Sequence, residues 1–164
     1  MWRPCGDYRR LNDRTIPDKY PVRCLDDFAA DLAGKKYFST IDLVRAFNQI
    51  PVADEDIAKT AIITPFGLFE FKQMTFGMRN AAQTFQRFVD EITRNLPFVY
   101  AYIDNLQIAS ESEEEHETHL QKIFQVLKDN GLVINVHKTI LGEQQVEFLG
   151  HHVSAEGIKP LALG

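Results

Sequence analysis

The chain has 164 residues, of which 45% are hydrophobic, and a formal net charge of -5, so it can bury the core of one domain. Its two cysteines, Cys5 and Cys24, are too few for a disulfide framework and lack the spacing of a metal site. We therefore expect an intracellular protein of the cytoplasm or nucleus. No apolar run approaches the ~20 residues of a membrane span, so no membrane partner is expected.

The first half of the chain predicts two helices and three strands. In chain order these are a helix over 25–32, strands over 36–41, 57–63 and 68–72, and a helix over 85–92. The helices follow apolar residues at i, i+3, i+4 and i+7 spacing, and the strands follow β-branched and aromatic residues. Gly34 is typical of a helix end, and Asp42 comes directly after the first strand.

The second half predicts a hairpin, one helix and two short strands. In chain order these are strands over 98–103 and 106–109, a helix over 120–127, and strands over 132–135 and 146–149. Helices and strands are mixed without strict alternation, which indicates an α+β fold.

The third helix is delimited on both sides. Ser112-x-x-Glu115 predicts a capping box at its start, and the pair at 130–131, Asn-Gly, closes it. Its acidic first turns carry much of the negative charge of the chain, so the net charge neither supports nor excludes a nucleic-acid partner. His116 and His119 lie one helical turn apart, but no nearby cysteine supports a zinc site.

Only Asp104 and Asn105 separate the two strands of the hairpin. Both residue types tolerate the positive φ that a two-residue turn requires, so we predict the turn at these two positions. A carboxylate then lies at a hairpin tip. A polar turn without any chemical role explains the segment equally well.

Asp42 and Asp104 would meet if the first strand and the hairpin are neighbours in one sheet. Paired carboxylates of this kind bind Mg²⁺, and two such ions ~3.5–4 Å apart stabilise the attacking and leaving oxygens of a phosphoryl transfer. The pair therefore indicates nucleotidyl transfer. Aspartates that merely cap strand ends are the competing interpretation.

Six segments of the chain resemble, in the same order, the reverse transcriptases of gypsy-like long-terminal-repeat retrotransposons and their retroviral relatives. They lie at 2–12, 38–52, 74–87, 102–105, 132–138 and 147–158. The resemblance covers essentially the whole sequence and implies a palm-type antiparallel sheet backed by helices, with partial fingers. The fourth segment reads Tyr-Ile-Asp-Asn where the family has YxDD.

The resemblance implies one fingers-palm domain over 1–164. The fingers-like parts would be 1–36 and 53–73 and the palm 37–52 and 74–164, with no thumb, connection or RNase H region in this sequence. It also implies an RNA or DNA template with a primer, deoxynucleoside triphosphates, and the rest of a pol polyprotein as partners. It makes no prediction of oligomeric state.

The same resemblance assigns the catalytic and metal-binding residues. Asp42, Asp104 and the carbonyl of Leu43 would hold Mg²⁺, with Mn²⁺ as an alternative, because these cations prefer oxygen donors. Lys138 would lie near the departing pyrophosphate as a proton donor. An ordinary surface lysine is the competing interpretation for that position.

Nucleotide and primer contacts are also implied. Arg3 would reach the triphosphate, Phe47 would block a 2′-hydroxyl beneath the sugar, and Phe76 and Gly77 would lie against the nucleotide. The segment Phe148-Leu149-Gly150 would hold the primer end. From the residue types alone, a terminal arginine, a core aromatic, a turn glycine and an apolar strand end explain the same positions.

Asn105 departs from the family pattern because it replaces a third carboxylate. Its amide oxygen can touch a metal but brings no negative charge. We therefore expect a template-directed polymerase that is weakened or inactive. The alternative is a non-enzymatic descendant that keeps the fold to bind nucleic acid or a protein partner.

Overall fold

A computed structural model describes residues 5–162 of the chain. Its helices are α1 (Arg9–Arg14), α2 (Leu25–Ala30), α3 (Ala81–Ile92) and α4 (Glu113–Asp129), and two 3₁₀ helices span Ala46–Gln49 and Asp54–Thr60. Its strands are β1 (Tyr37–Asp42), β2 (Ile62–Thr64), β3 (Gly67–Phe69), β4 (Val99–Tyr102), β5 (Asn105–Ser110), β6 (Ile140–Glu143), β7 (Gln145–Phe148), β8 (His151–Ser154) and β9 (Gly157–Pro160). Within residues 5–162, no helix has both the length and the apolar character needed to cross a membrane.

The strands form three antiparallel sheets. The central sheet has four strands in the order β4-β5-β1-β6. A separate hairpin joins β2 and β3, and a three-stranded sheet contains β7, β8 and β9. Mixed helices and antiparallel sheets confirm the predicted α+β class.

Two hydrophobic cores hold the central sheet between them. The core beneath α3 and α4 contains Ile41, Leu43, Phe85, Val89, Leu106, Ile108, Ile123 and Leu127. The core on the opposite face contains Phe28, Phe38, Tyr100, Val146, Phe148 and Val153. Successive residues of a strand point to opposite faces, which is why β1 supplies both cores. Each large buried side chain stabilises the fold by about 1.5–3 kcal/mol, so the ends of the central strands are held in place from both sides.

The start of α4 confirms the predicted cap. Ser112 Oγ accepts a hydrogen bond from Glu115 N at 3.2 Å, as a capping serine does. The Glu115 carboxylate in turn accepts from Glu111 N at 2.6 Å, one residue before the cap rather than at it. The helix therefore begins where the sequence places it.

A buried polar network also joins α4 to the sheet. The ring nitrogens of His116 hydrogen-bond to Ser39 Oγ at 2.6 Å and to Ser110 Oγ at 2.7 Å. Ser110 Oγ contacts His119 Nδ1 at 2.8 Å, and Gly142 N donates to Ser39 Oγ at 2.9 Å. These hydroxyl and imidazole groups satisfy one another inside a water-free region, where an unpaired polar group would be costly.

The largest difference from the sequence prediction lies at 57–63. Most of that range forms the 3₁₀ helix Asp54–Thr60, and only β2 is extended. Thr60 Oγ1 donates to Ile57 O at 2.6 Å and accepts from Phe71 N at 2.7 Å, so a side chain takes the hydrogen bonds that a strand partner would have made. The prediction of a strand over 57–61 was wrong for this reason.

Three smaller differences concern strand limits. The predicted strand over 68–72 is shorter and is β3, and the range 132–135 makes only an isolated bridge between Leu43 and Ile134. The strands β6, β8 and β9 were not predicted. Exposed residues dominate β6, so its apolar pattern is weak, and its place in the sheet comes from pairing with β1.

Candidate active site

The predicted meeting of the first strand with the hairpin is present in the structure. β1 and β5 are antiparallel neighbours, with Asp42 opposite Asn105, and Leu43 N donates to Asp104 O at 2.9 Å. This hydrogen bond makes Asp42 and Asn105 a non-hydrogen-bonded pair, the kind in which opposite side chains come closest. Asp42, Asp104 and Asn105 therefore lie together at one end of the central sheet.

The hairpin turn lies one residue earlier than predicted. Tyr102 pairs with Asn105, which leaves Ile103 and Asp104 as the turn residues. The positive φ, +51°, belongs to Ile103 rather than to Asp104 or Asn105. Asn105 is the first residue of β5 because it pairs with Tyr102 on one side and Asp42 on the other. The prediction of a turn at Asp104-Asn105 was wrong, since residue preference does not report the register of the neighbouring strand.

The two carboxylates influence each other electrostatically. Burial, together with the nearby Asp42 carboxylate, raises the pKa of Asp104, while the Asp104 backbone N–H and the Lys138 ammonium act in the opposite direction. Asn105 Nδ2 lies 3.3 Å from Asp104 Oδ1, so the amide offers a weak neutral donor where a charged group would repel. The site as it stands favours a cation.

The donor atoms at this position fit a hard divalent cation. Carboxylate oxygens of Asp42 and Asp104, with the Leu43 carbonyl and the Asn105 amide oxygen nearby, are the ligand types that Mg²⁺ and Mn²⁺ accept. In residues 5–162, however, no three His, Cys, Asp or Glu side chains form a group able to hold a metal ion. Asn105 supplies the reason, because the position facing Asp42 carries no charge.

The predicted nucleotide-contact residues cluster beside the carboxylates. Phe47 follows β1 in the first 3₁₀ helix and packs edge to face on Phe76, with ring centroids 5.1 Å apart. Phe76 is 43% exposed, and Gly77 has φ +90°, which a residue with a side chain rarely adopts. Asn12 Nδ2 donates to Gly77 O at 2.7 Å and ties this loop to the first segment of the chain. Arg3 lies outside the described residues.

The predicted primer-holding segment is a second hairpin turn. Leu149 and Gly150 both have positive φ, +49° and +75°, between β7 and β8. Phe148 is only 2% exposed and packs against Phe28 and Tyr100, so its ring supports the turn from the core side. Contact with a primer stays a prediction, and the geometry restricts it to the tip residues.

Sequence reasoning missed one residue that contacts the catalytic turn. Gln86 lies on the buried face of α3, and its side chain hydrogen-bonds to the backbone of Ala101 and Ile103. The available signal was a lone glutamine among the apolar residues of the helix, between Phe85 and Phe88. Such a polar residue needs a partner in the core.

Comparison with known proteins identifies the fold. Residues 1–153 match the family model described as reverse transcriptase (RNA-dependent DNA polymerase). The chain belongs to the reverse transcriptase family. The predicted resemblance to gypsy-like retrotransposon enzymes is therefore confirmed at the level of the family.

Curated relatives of this reverse transcriptase domain are polyproteins. The Pol polyprotein of transposon 297 from Drosophila melanogaster is 42% identical over 156 residues, which are 94% of this chain and 15% of the relative. The Pol polyprotein of transposon gypsy from the same species is 37% identical over 93% of the chain and 15% of the relative. The Tf2-7 polyprotein of Schizosaccharomyces pombe is 35% identical over 94% of the chain and 12% of the relative. The chain spans less than a fifth of each of these proteins.

Solved structures confirm the palm-type architecture of the domain. A foamy viral protease-reverse transcriptase in complex with an RNA/DNA hybrid superimposes with a TM-score of 0.88 at 25% identity, over 95% of this chain and 21% of the other. The native prototype foamy virus protein gives a TM-score of 0.80 at 29% identity, over 91% and 20%.

Proposed function

We propose that this chain is the polymerase core of an RNA-directed DNA polymerase that extends a primer paired with an RNA or DNA template. The observation that carries the proposal is the convergence of Asp42 and Asp104, which the β1–β5 pairing brings to one end of the central sheet. Family membership supports the same function. The RNA/DNA hybrid bound by a foamy viral relative supports a template-primer duplex as the partner.

The reaction forms a bond between the primer 3′-oxygen and the α-phosphorus of a deoxynucleotide, and breaks the bond to pyrophosphate. A divalent cation held by the Asp42 and Asp104 carboxylates would polarise phosphate oxygens and offset the negative charge that develops on them. The Leu43 carbonyl and the Asn105 amide oxygen complete an all-oxygen donor set. These groups sit on paired strands, so they keep a fixed spacing without any rearrangement.

Other residues would bind substrate and move a proton. Lys138 is the proposed proton donor to the departing pyrophosphate, and its charge already acts on Asp104. Phe47, braced by Phe76, is the proposed gate against a 2′-hydroxyl. The turn formed by Leu149 and Gly150 is the proposed support for the primer end.

Asn105 sets the expected rate. The pair with Asp42 places it where a third charge would stabilise the bound cation and the transition state. Loss of one well-placed electrostatic group commonly costs ~10²–10³ in rate. We therefore propose a weak polymerase rather than a fast one.

Primer extension on an RNA template, with Mg²⁺ or Mn²⁺, tests this function. The assay uses this chain joined to the segment that follows it in the transposon 297 polyprotein, and compares the parent with Asn105→Asp and Asp42→Asn. Asn105→Asp should extend primers about 10²-fold faster or more, and Asp42→Asn should extend none. A fast parent would contradict the role of Asn105, and a folded Asn105→Asp protein with no gain would contradict the polymerase assignment.

A second function is favoured by the missing third carboxylate. If the fold serves only to bind nucleic acid or a protein partner, Asn105 relieves repulsion at a site that no longer holds a cation. Binding of a labelled RNA/DNA hybrid would then persist in Asp42→Asn and would not respond to Mg²⁺. In the polymerase function, primer extension accompanies binding and disappears in Asp42→Asn.

A further inference from the structure

The turn that carries Asp104 contains a backbone outlier. Ile103 is β-branched and has φ +51°, in the left-handed region that such residues avoid. A conformation of this kind costs of order 1–3 kcal/mol and persists only where surrounding contacts over-determine it. The groups that hold Ile103 therefore determine where the next residue, Asp104, lies.

Gln86 holds Ile103 from the adjacent helix. Its side chain is completely buried, its Oε1 accepts a hydrogen bond from Ile103 N at 2.7 Å, and its Nε2 donates to Ala101 O at 3.0 Å. β4 is an edge strand of the central sheet, so these backbone groups lie where a further strand would otherwise pair. One side-chain amide takes the place of that strand at the start of the turn.

The orientation of the Gln86 amide is set by its partners. Nε2 also donates to Asp90 Oδ1 at 3.0 Å, one turn further along α3. The Ala101 carbonyl and the Asp90 carboxylate only accept, whereas Ile103 N only donates, so Oε1 must face Ile103. The reversed amide would lose all three hydrogen bonds.

Asp90 is itself anchored by the first segment of the chain. Tyr20 Oη donates to Asp90 Oδ2 at 2.8 Å, and Arg23 Nε lies 3.5 Å from Asp90 Oδ1. A continuous hydrogen-bonded path therefore runs from Tyr20 through Asp90 and Gln86 to Ile103. The path places the catalytic turn relative to α3 and to the segment in front of α2.

We propose that Gln86 is a positioning residue for Asp104. By holding Ile103 in the left-handed conformation, it sets the distance between the Asp104 and Asp42 carboxylates. Gln86 touches no reacting atom, and its importance for catalysis rests on the proposed function. Its effect on the turn itself does not depend on that function.

The matched control is Gln83, a glutamine on the same helix. Its half-buried side chain has a buried Oε1 without a hydrogen-bond partner among residues 5–162, and it makes none of the contacts that Gln86 makes with the turn. Gln86→Met and Gln83→Met are therefore the same chemical change with and without loss of the clamp. A role of Gln86 in general stability alone predicts similar behaviour at the turn for both.

Two measurements on this chain separate positioning from stability. Mn²⁺ binding is measured by electron paramagnetic resonance, and amide hydrogen exchange is measured at Ile103 and Asp104 under native conditions. Gln86→Met should weaken Mn²⁺ binding about 10-fold or more, as loss of an orienting neighbour usually does, and should accelerate exchange at both amides. Gln83→Met should leave Mn²⁺ binding and both exchange rates at the values of the parent chain.

A rescue experiment tests the cause. Glycine adopts positive φ without steric cost, so the turn in Ile103→Gly no longer needs the clamp. Gln86→Met should therefore weaken Mn²⁺ binding several-fold less in the Ile103→Gly background than in the parent. If Gln86→Met does not fold, Gln86→Glu with Asp90→Asn should bind Mn²⁺ more tightly than Gln86→Glu alone, because the paired change removes the repulsion between two carboxylates.

The outcomes distinguish this proposal from the proposed function. Equal exchange at Ile103 in Gln86→Met and Gln83→Met overturns the positioning role, whether or not the metal binds. Unchanged Mn²⁺ affinity in Gln86→Met overturns it as well. A parent chain that binds no Mn²⁺, while exchange still separates the two variants, supports the positioning role and counts against the polymerase function.

Discussion

Asp42 and Asn105 lie directly opposite each other on β1 and β5, on the same face of the central sheet. The uncharged member of the site is therefore the cross-strand partner of the first carboxylate, and Asp104 precedes it in the turn. An aspartate at 105 would face Asp42 at the shortest spacing that antiparallel strands allow. This relationship makes the charge at position 105 the main variable of the site.

Asn105→Asp should destabilise the metal-free chain. A second carboxylate opposite Asp42, in a half-buried site, adds repulsion of about 1 kcal/mol. Mg²⁺ or Mn²⁺ should recover that stability, because the cation neutralises the added charge. Thermal unfolding with EDTA and with each cation measures both effects, and Asn48→Asp at an exposed position is the control. An Asn105→Asp protein that is equally stable with and without cation would contradict the arrangement.

Asp104→Asn should stabilise the chain at neutral pH. Burial and Asp42 raise the folded-state pKa of Asp104 above its unfolded value, so the folded chain binds the proton more tightly. The resulting loss of stability is present above the folded pKa and absent below the unfolded pKa, at about pH 3. Urea unfolding at pH 7 and pH 3 should show a gain for Asp104→Asn only at pH 7. A gain of equal size at both pH values would assign the effect to the turn conformation instead.

The network around His116 should make stability fall in mild acid. Burial is the main cause that lowers the pKa of His116 and of His119 below 6.5 in the folded chain. The unfolded chain then binds more protons as pH falls below about 6.5, and the free energy of unfolding drops by at most ~1.4 kcal/mol per pH unit for each histidine. Chemical unfolding between pH 7.5 and 5 measures this slope.

The control for that slope is a pair of neutral replacements. His116→Gln removes one titrating group from the network and should flatten the pH dependence, at the cost of lower stability at pH 7.5. His137→Gln, at an exposed position, should leave the slope unchanged. Equal slopes in the parent and in His116→Gln would mean that other groups cause the acid sensitivity.

Phe47→Val should admit ribonucleotides. The Phe47 ring is fixed edge to face between Phe76 and Phe85, at 5.1 and 6.2 Å between centroids, so it has little freedom to move aside. A smaller side chain should raise ribonucleotide incorporation relative to deoxynucleotide by ~10-fold or more. Competitive primer extension in the Asn105→Asp background measures the ratio. An unchanged ratio would remove Phe47 from the proposed gate.

The order of helices and strands could largely be predicted from the sequence. The apolar spacing of α3 and the cap of α4 are local patterns, and both elements form where expected. The strand over 57–61 failed because Thr60 makes its hydrogen bonds with residues 3 and 11 positions away. That choice depends on a contact with Phe71, which no local pattern reports.

The candidate site was predictable in part. The positions of Asp42 and Asp104 at strand ends follow from local residue preferences, and the family motifs identify them. The turn residues were displaced by one position because Asn105 pairs with two strands at once. Register depends on the partner strand, and a shift of one residue changes which side chain faces the site.

The sequence by itself determined the family, the α+β class and the two carboxylates, because motifs and periodicity are local properties of the chain. Only the tertiary structure decided that Asn105 faces Asp42, that Ile103 takes the positive φ, and that Gln86 holds it. These facts rest on contacts between residues as far apart as 17 positions for Gln86 and Ile103, and 63 for Asp42 and Asn105. Such contacts depend on how the strands and helices pack together.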